Sequence, residues 1–454
     1  MFITPRIPLI FLLLAVSGCA SYSPKPLDAE SVRRAFAERE PFPPDAPAAP
    51  SGTPFDFTDG LSLPEAEAIT LIFNADLRAA RSRSGVTRAN ANNAGLWADP
   101  TFGIDLTRIL ASVDEPWELG IPVGLTVPIS GRLAAEKNRA RSEHEAELVR
   151  VFDAEWATRM RLRTLWNRWS SAADRAQALR DFLGRYSEVS SVIDSLESAG
   201  EMPRTEARLF RVDDLTRRAE LIGAEAEIEA SRLELLALIG FPPEWSVQLV
   251  PASLVTTVTD SLGAKDGLVA AGLDLAFSRN TTLALARAEY EVWERRLATE
   301  IRAQYPDLTL TGGYGNEDGN DRIITGIGTV VPLWNRNRQG VARASAEREA
   351  ARIGFEGVAE DLVGEHAAAV VAVAAAERTL DLIQNQLMPL VEQQFDDIRT
   401  ITRLGEINAL LVLETLSRRL EADLALALAR ANVAEARIRL THLEGPCEKE
   451  EDRP

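Results

Sequence analysis

The chain has 454 residues, 46% hydrophobic and 26% charged, with 68 acidic against 50 basic side chains and a formal net charge of -18. Such an acidic chain is a poor nucleic-acid binder, because affinity for phosphates rests largely on Lys and Arg contacts. Two cysteines build no disulfide framework. After residue 20 nothing reaches the roughly 20 apolar residues a spanning helix needs; the run 367–376 stops at Glu377.

Residues 1–18 read as an export signal: a lone Arg6, an apolar core from Ile7 to Val16, then small residues. Val16-Ser17-Gly18-Cys19 resembles a bacterial lipobox, which implies a lipid on Cys19; a plain secretory signal is the alternative. Ala20 follows where an Asp would retain the protein at the inner membrane, so the resemblance implies the outer membrane. Residues 19–60, rich in Pro, Ala and Asp, predict an extended tether with little helix.

From residue 61 the chain is written twice. Asn74 and Leu77 return as Asn280 and Leu283, Val127-Pro128-Ile129 as Val331-Pro332-Leu333, Gly200-Glu201 as Gly405-Glu406, and Gly240 as Gly445. So long a period means two large structural copies, not a solenoid of units of roughly 20–50 residues. Repeat 1 covers 61–245, with helices expected over 64–96, 132–198 and 204–239 and strands over about 99–109 and 117–129. In 117–129 the odd positions are apolar and the even ones polar, Gly or Pro, the period of a half-buried strand. Pro122 and Pro128 remove ladder donors and predict a bulge or an early strand end. Residues 246–266 are a linker. Repeat 2 covers 267–446, with helices expected over 268–303, 338–404 and 406–443, strands over 305–314 and 322–333, and a polar turn Gly315–Asn320 between them. Residues 447–454 form an acidic tail.

Each uninterrupted helix of about 67 residues is roughly 100 Å long. Two shorter helices laid end to end match it, so a broken rod packs antiparallel to a continuous one. The strands have one apolar face and suit a tilted crossing of the hydrocarbon layer. In lipid every backbone polar group must be paired, so only a closed barrel serves. Four strands cannot close one, and two, three or four copies of the chain satisfy the requirement.

The doubled layout, the Asn-x-x-Leu and Pro pair before each outgoing strand, and the Gly at each helical tip resemble the outer-membrane factor family, the TolC-like channels. That resemblance implies a mainly α fold with a membrane β-barrel. It implies a homotrimer with a shared twelve-stranded barrel above a long α-helical coiled barrel. It also implies a passive outer-membrane duct with a large periplasmic part, served by a periplasmic adaptor and an inner-membrane pump of the resistance-nodulation-division type. The segment Val331–Gly340, with Asn335-Arg336-Asn337-Arg338, resembles the heavy-metal-efflux branch and implies divalent metal ions as cargo. Drugs or a type I secreted protein are the alternative cargoes, and a lipid-anchored coiled-coil scaffold without a pore is the alternative of another class. In the family, acidic rings at the helical tips close the entrance. The positions that correspond are Glu206 in repeat 1 and Leu411 and Glu414 in repeat 2, so only one of the two second-repeat acids is present. Gly200, Glu201, Arg403, Gly405 and Glu406 are the tip-turn and adaptor-docking candidates.

Nothing in the residues predicts catalysis, a cofactor or a bound metal. His144, His366 and His442 lie far apart on helical stretches, and Gly312-Gly313-Tyr314-Gly315 enters a hairpin where a phosphate loop would open a helix.

Overall fold

The computed structural model describes residues 22–39, 59–108, 110, 117–251, 266–317, 320–403 and 409–446. Cys19, Gly405, Glu406 and the acidic tail lie outside them. The chain divides into two compact units, Met1–Ala46 and Pro47–Pro454. In the first, residues expected to be extended form a helix, α1 (Ala29–Ala37). The Asp28 carboxylate accepts from the Glu30 and Ser31 amides at 3.2 Å each. This N-cap and a run of strong helix formers outweigh the Pro-rich surroundings.

The second unit opens with two helices where one was expected over 64–96: α2 (Leu63–Phe73) and α3 (Ala75–Asn93). A capping box starts α2, with the Ser62 amide donating to Glu65 at 2.9 Å. The break is made by Asn74. Its amide ends α2 on Thr70 O at 3.0 Å, and its Oδ1 starts α3 by accepting from Leu77 N at 3.0 Å. The rest of the repeat is β1 (Thr101–Phe102), β2 (Asp105–Arg108), β3 (Trp117–Val127), α4 (Arg132–Ala199) and α5 (Arg204–Ile239).

Repeat 2 makes the same break. The helix expected over 268–303 is α6 (Asp266–Arg279) and α7 (Thr281–Arg302). Asn280 ends one on Ala276 O at 2.8 Å and caps the other through Leu283 N at 2.8 Å. Each Asn amide also reaches across to the end of its returning helix: Asn74 Nδ2 donates to Leu238 O at 2.7 Å, and Asn280 Nδ2 to Leu443 O at 2.9 Å. Gly240 (φ 94°) and Gly445 (φ 80°) follow those ends. A Cβ on Gly240 would overlap the Phe73 carbonyl, and one on Gly445 the Arg279 carbonyl. Only Gly combines the left-handed turn with this approach. Both repeats are thus tied at the base by one Asn and one Gly.

Next come β4 (Leu308–Glu317), β5 (Asn320–Thr329), α8 (Arg338–Leu382), α9 (Met388–Arg403) and α10 (Ala409–Glu444). In place of one helix over 338–404, a π turn (Ile383–Leu387) separates α8 from α9, and Met388 N–H bonds back to Ile383 O. Pro389 lacks an N–H and its ring crowds the carbonyl four residues earlier, which an α-helical ladder does not accommodate. The turn also absorbs one residue. Before it, buried positions of α8 match α4 after subtracting 204: Ala344 with Ala140, His366 with Leu162, Val373 with Trp169. After it the difference is 205: Val391 matches Tyr186. The sequence carries the same step, from Val127/Val331 to Gly200/Gly405. In repeat 1, α4 is continuous over 68 residues; α3 and α5 both pack along it, and α7 and α10 lie along α8.

All strands join one antiparallel sheet, β1 and β2 beside β3, then β4, then β5, so the repeats meet through β3 and β4. No bulge forms at Pro122. Phe102 faces Val123 and Asp105 faces Gly120, the same register on both sides. Gly103 N donates to Pro122 O at 2.9 Å, but Pro122 has no N–H to return the bond, and the strand is interrupted there. Beyond β3, Pro128 ends the ladder. The repeat 2 strands overlap the expected 305–314 and 322–333 but are offset by two to four residues at each end. Pro306 has no donor, and Asp307 turns back to accept from the Ser130 hydroxyl at 2.8 Å, so pairing starts at Leu308. The far end extends to Glu317 opposite Asn320, through most of the expected turn.

Candidate functional site

Two regions of the second unit are built for interaction: the sheet and the helical tips. Register puts Phe102 and Leu106 level with Val123 and Leu119. Ile121 and Leu125 stand beside Tyr314 and Leu310, and these beside Ile323 and Ile327. Every second residue points to the same face, so an apolar band crosses all strands, with Thr325 and Thr329 within it and Arg108, Asn316 and Asp321 at the far end. It is also exposed: Phe102 68%, Ile323 84% and Ile327 77%. The opposite face holds Thr, Gly, Asp105, Glu118, Glu317, Asn320 and Arg322, with Pro122 and Ile324 as its apolar residues. β3 has 11 residues, about 36 Å at about 3.3 Å per residue. Tilted by about 45°, a strand of that length matches the roughly 25 Å apolar band of outer-membrane barrels. Exposed Trp97, Tyr305 and Trp334 lie just beyond the helix-side strand ends, with Trp117 at the far end. The sheet does not close: β5 is one edge, β1 and β2 the other. Among the described residues no helix is long and apolar enough to cross a membrane.

The Val331–Gly340 segment connects sheet to helix. Arg336 and Asn337 take left-handed conformations, φ 45° and 48°. Asn337 Nδ2 donates to Glu300 O at 2.9 Å and Glu300 Oε2 at 2.7 Å, and Arg336 Nε to Pro332 O at 3.2 Å. Its polar residues therefore serve the turn.

At the first tip Gly200 (φ 77°) caps α4, and Glu201 N donates back to Leu196 O at 2.9 Å. Glu206 sits half-buried in the first turn of α5, where the helix dipole favours a carboxylate. Tyr186 locks this hairpin, its hydroxyl donating to Phe210 O at 2.9 Å. Burial, more than nearby Asp213 and Asp214, holds that hydroxyl's pKa well above the usual phenol range. Arg211 bridges the turn to Asp194 at 2.8 Å and to Glu197.

At the second tip Arg403 ends α9, and Leu411 and the exposed Glu414 lie near the start of α10. Glu414 is held by Arg418, four residues on, at 2.6 Å. Glu206 and Glu414 thus stand on different hairpins. Between the hairpins runs a groove of about 550 Å³ lined by Arg185, Glu188, Val189, Glu392, Phe395 and Leu416, among others. Within the second hairpin, Arg419 of α10 pairs with Glu392 of α9 at 2.9 Å and with Asp423 of its own helix at 3.2 Å. Only tertiary pairing brings residues 185–189 to 392–419, and no sequence spacing announces the groove. The Asn–Gly ties were announced: Asn74, Leu77 and Gly240 recur in repeat 2.

Residues 272–445 match the family model described as outer membrane efflux protein. VceC of Vibrio cholerae, an outer membrane protein, is similar at 18% identity and TM-score 0.69, over 84% of this chain and 96% of its own. The chain shares the fold of that protein, and the efflux-protein match lies in repeat 2. CusC, solved in studies of transmembrane channel formation, is similar at 14% identity and TM-score 0.70, over 88% and 99% of the two chains. The open-state outer membrane channel MtrE of Neisseria gonorrhoeae is similar at 17% identity and TM-score 0.69, over 84% and 89%. No curated protein sequence matches. The TolC-like resemblance read from the sequence therefore holds, as does the mainly helical fold with a small antiparallel sheet. Among the described residues no group of three or more His, Cys, Asp or Glu is placed to hold a metal ion.

Proposed function

We propose that this chain is one third of a passive outer-membrane duct. Three copies complete a twelve-stranded barrel, and their helices continue as a periplasmic tube. The observation that carries this reading is the sheet, which exposes an apolar band on one face and ends in two open edges. A monomer in water exposes that face, and a monomer in lipid leaves edge groups unpaired at several kcal/mol each. Joining β5 of one copy to β1 and β2 of the next removes both problems. An exposed apolar stripe on α5, Leu209, Val212, Leu215 and Ile222, fits the same assembly, since a neighbouring copy's helices would cover it. A scaffold without a pore has no use for either surface.

Cargo enters at the helical tips, where Glu206, Leu411 and Glu414 line the entrance and Gly200, Glu201, Arg403, Gly405 and Glu406 meet a periplasmic adaptor. An inner-membrane pump supplies the energy, and a lipid on Cys19 anchors the chain to the outer membrane. Divalent metal ions are the cargo the Val331–Gly340 segment suggests; drugs or a secreted protein fit the same duct. Reconstitution in planar bilayers tests the reading. Discrete conductance with cation preference is expected from Asp105, Glu118 and the tip acids. Absence of conductance, or clear anion preference, contradicts it.

A further inference from the structure

His366 is 1% exposed, and neither ring nitrogen has a hydrogen-bond partner. It lies on α8 between Leu362 and Ala369, both buried in the seam against α6, α7 and α10. Its Nε2 points to Glu444 Oε1 at 3.5 Å, the outer limit of a hydrogen bond. Glu444 is the last residue of α10, between Leu443, whose carbonyl takes the Asn280 amide, and Gly445, which closes on Arg279. Gly272 of α6 leaves room for the ring: a Cβ there would stand 3.3 Å from both His366 and Glu444.

The first repeat has no such pair. His366 corresponds to Leu162 and Glu444 to Ile239, each 0% exposed. Two apolar side chains fill in one copy the place a titratable pair holds in the other. The nearby charge contact in repeat 1 is Arg163 with Glu67 at 2.5 Å, and Arg does not lose its proton. The tie at the base of repeat 2 is therefore the one that holds a titratable pair.

We propose that His366 and Glu444 form an acid-strengthened latch that fixes the base of α10 to α8 and α6. With one proton shared between them, the pair makes a charge-assisted hydrogen bond inside the seam. When that proton leaves, a carboxylate remains half out of water against the ring. Burial pushes the Glu444 carboxyl up, with His366 pulling it back. A carboxyl raised on folding contributes stability below its unfolded value, and that stability fades as pH rises through the folded value. The latch thus tightens on acidification and loosens toward alkaline pH. α10 carries Leu411 and Glu414 at its other end, so the latch bears on how firmly that helix of the second tip is held.

Other charges nearby are few. His442 stands two residues before Glu444, its pKa lowered by burial against the pull of Asp153 on α4 and Glu365 on α8. Asp274 on α6 is exposed, and Arg279 lies beside Gly445.

Hydrogen exchange of the detergent-solubilised full chain, corrected for intrinsic rates, tests the latch at pH 5.5 and pH 8. In the wild type, amides of residues 436–445 should exchange about tenfold more slowly at pH 5.5 than at pH 8. His366→Leu with Glu444→Ile copies the pair found in repeat 1 and should protect these amides equally at both pH values. His442→Gln should keep the wild-type response. A wild type without pH response, a double variant that retains it, or a response abolished by His442→Gln would each overturn the proposal.

Discussion

In the first repeat α4 runs unbroken to a tip with a Gly200 cap, a buried Tyr186 hydroxyl bonded to Phe210 O and an Arg211 bridge. In the second, the same length of chain carries one more residue and takes it up as a π turn before Pro389. The residue opposite Pro389 in repeat 1 is Gly184, which weakens a helix but leaves its ladder whole. Both repeats keep the same Asn–Gly tie at the base. Duplication has thus preserved the base and let the shafts diverge, which marks the second hairpin as the more deformable of the two.

Breaking the shared base should cost most, and equally in both repeats. Gly240→Ala and Gly445→Ala each force a Cβ into a carbonyl at a left-handed position, at about 2–4 kcal/mol apiece. Chemical unfolding in detergent reads this, and unequal losses would argue against equivalent ties. Next come Asn74→Ala and Asn280→Ala, which remove a cap and strand a buried carbonyl at about 2–3 kcal/mol each.

Changing the sheet face tests its role. Ile327→Lys places a charge toward lipid, at about 2–4 kcal/mol near the bilayer centre, and should block assembly in vesicles. Arg322→Gln on the polar face should assemble normally and raise cation preference. Equal effects on assembly would mean that the faces are not distinguished by lipid.

The shafts are compared by deleting one residue of the π turn together with Pro389→Ala, which restores the spacing of α4. Exchange of amides 390–400 should slow several-fold, while α4 amides stay unchanged. The smallest effect belongs to Glu414→Gln. Its exposed pair with Arg418 is worth at most about 0.5 kcal/mol, so stability should hold while single-channel cation preference falls.

Much of this architecture is legible in the residues because duplication prints it twice. The alternation over 117–129 predicts β3 and its apolar face, and the Gly200 repeat predicts the tip. The misses come from interactions that close over distance. A helix expected to run through Asn74 breaks there because the amide finds Leu238 O, 164 residues away. The strands of repeat 2 shift because Asp307 bonds Ser130 and starts the ladder later. The π turn was visible as a change of repeat offset from 204 to 205, but the offset does not say where the extra residue sits; Pro389 decides that. At the tips, Glu206 and Glu414 read as alike in sequence, yet one meets a helix dipole and the other an arginine.

The central claim is that the open sheet closes only with other copies. Native mass spectrometry of the detergent-solubilised protein measures this most directly. The account predicts a complex of three mature chains that persists on dilution and collapses with Ile327→Lys. A stable monomer, or a closed complex of two or four chains, would contradict it.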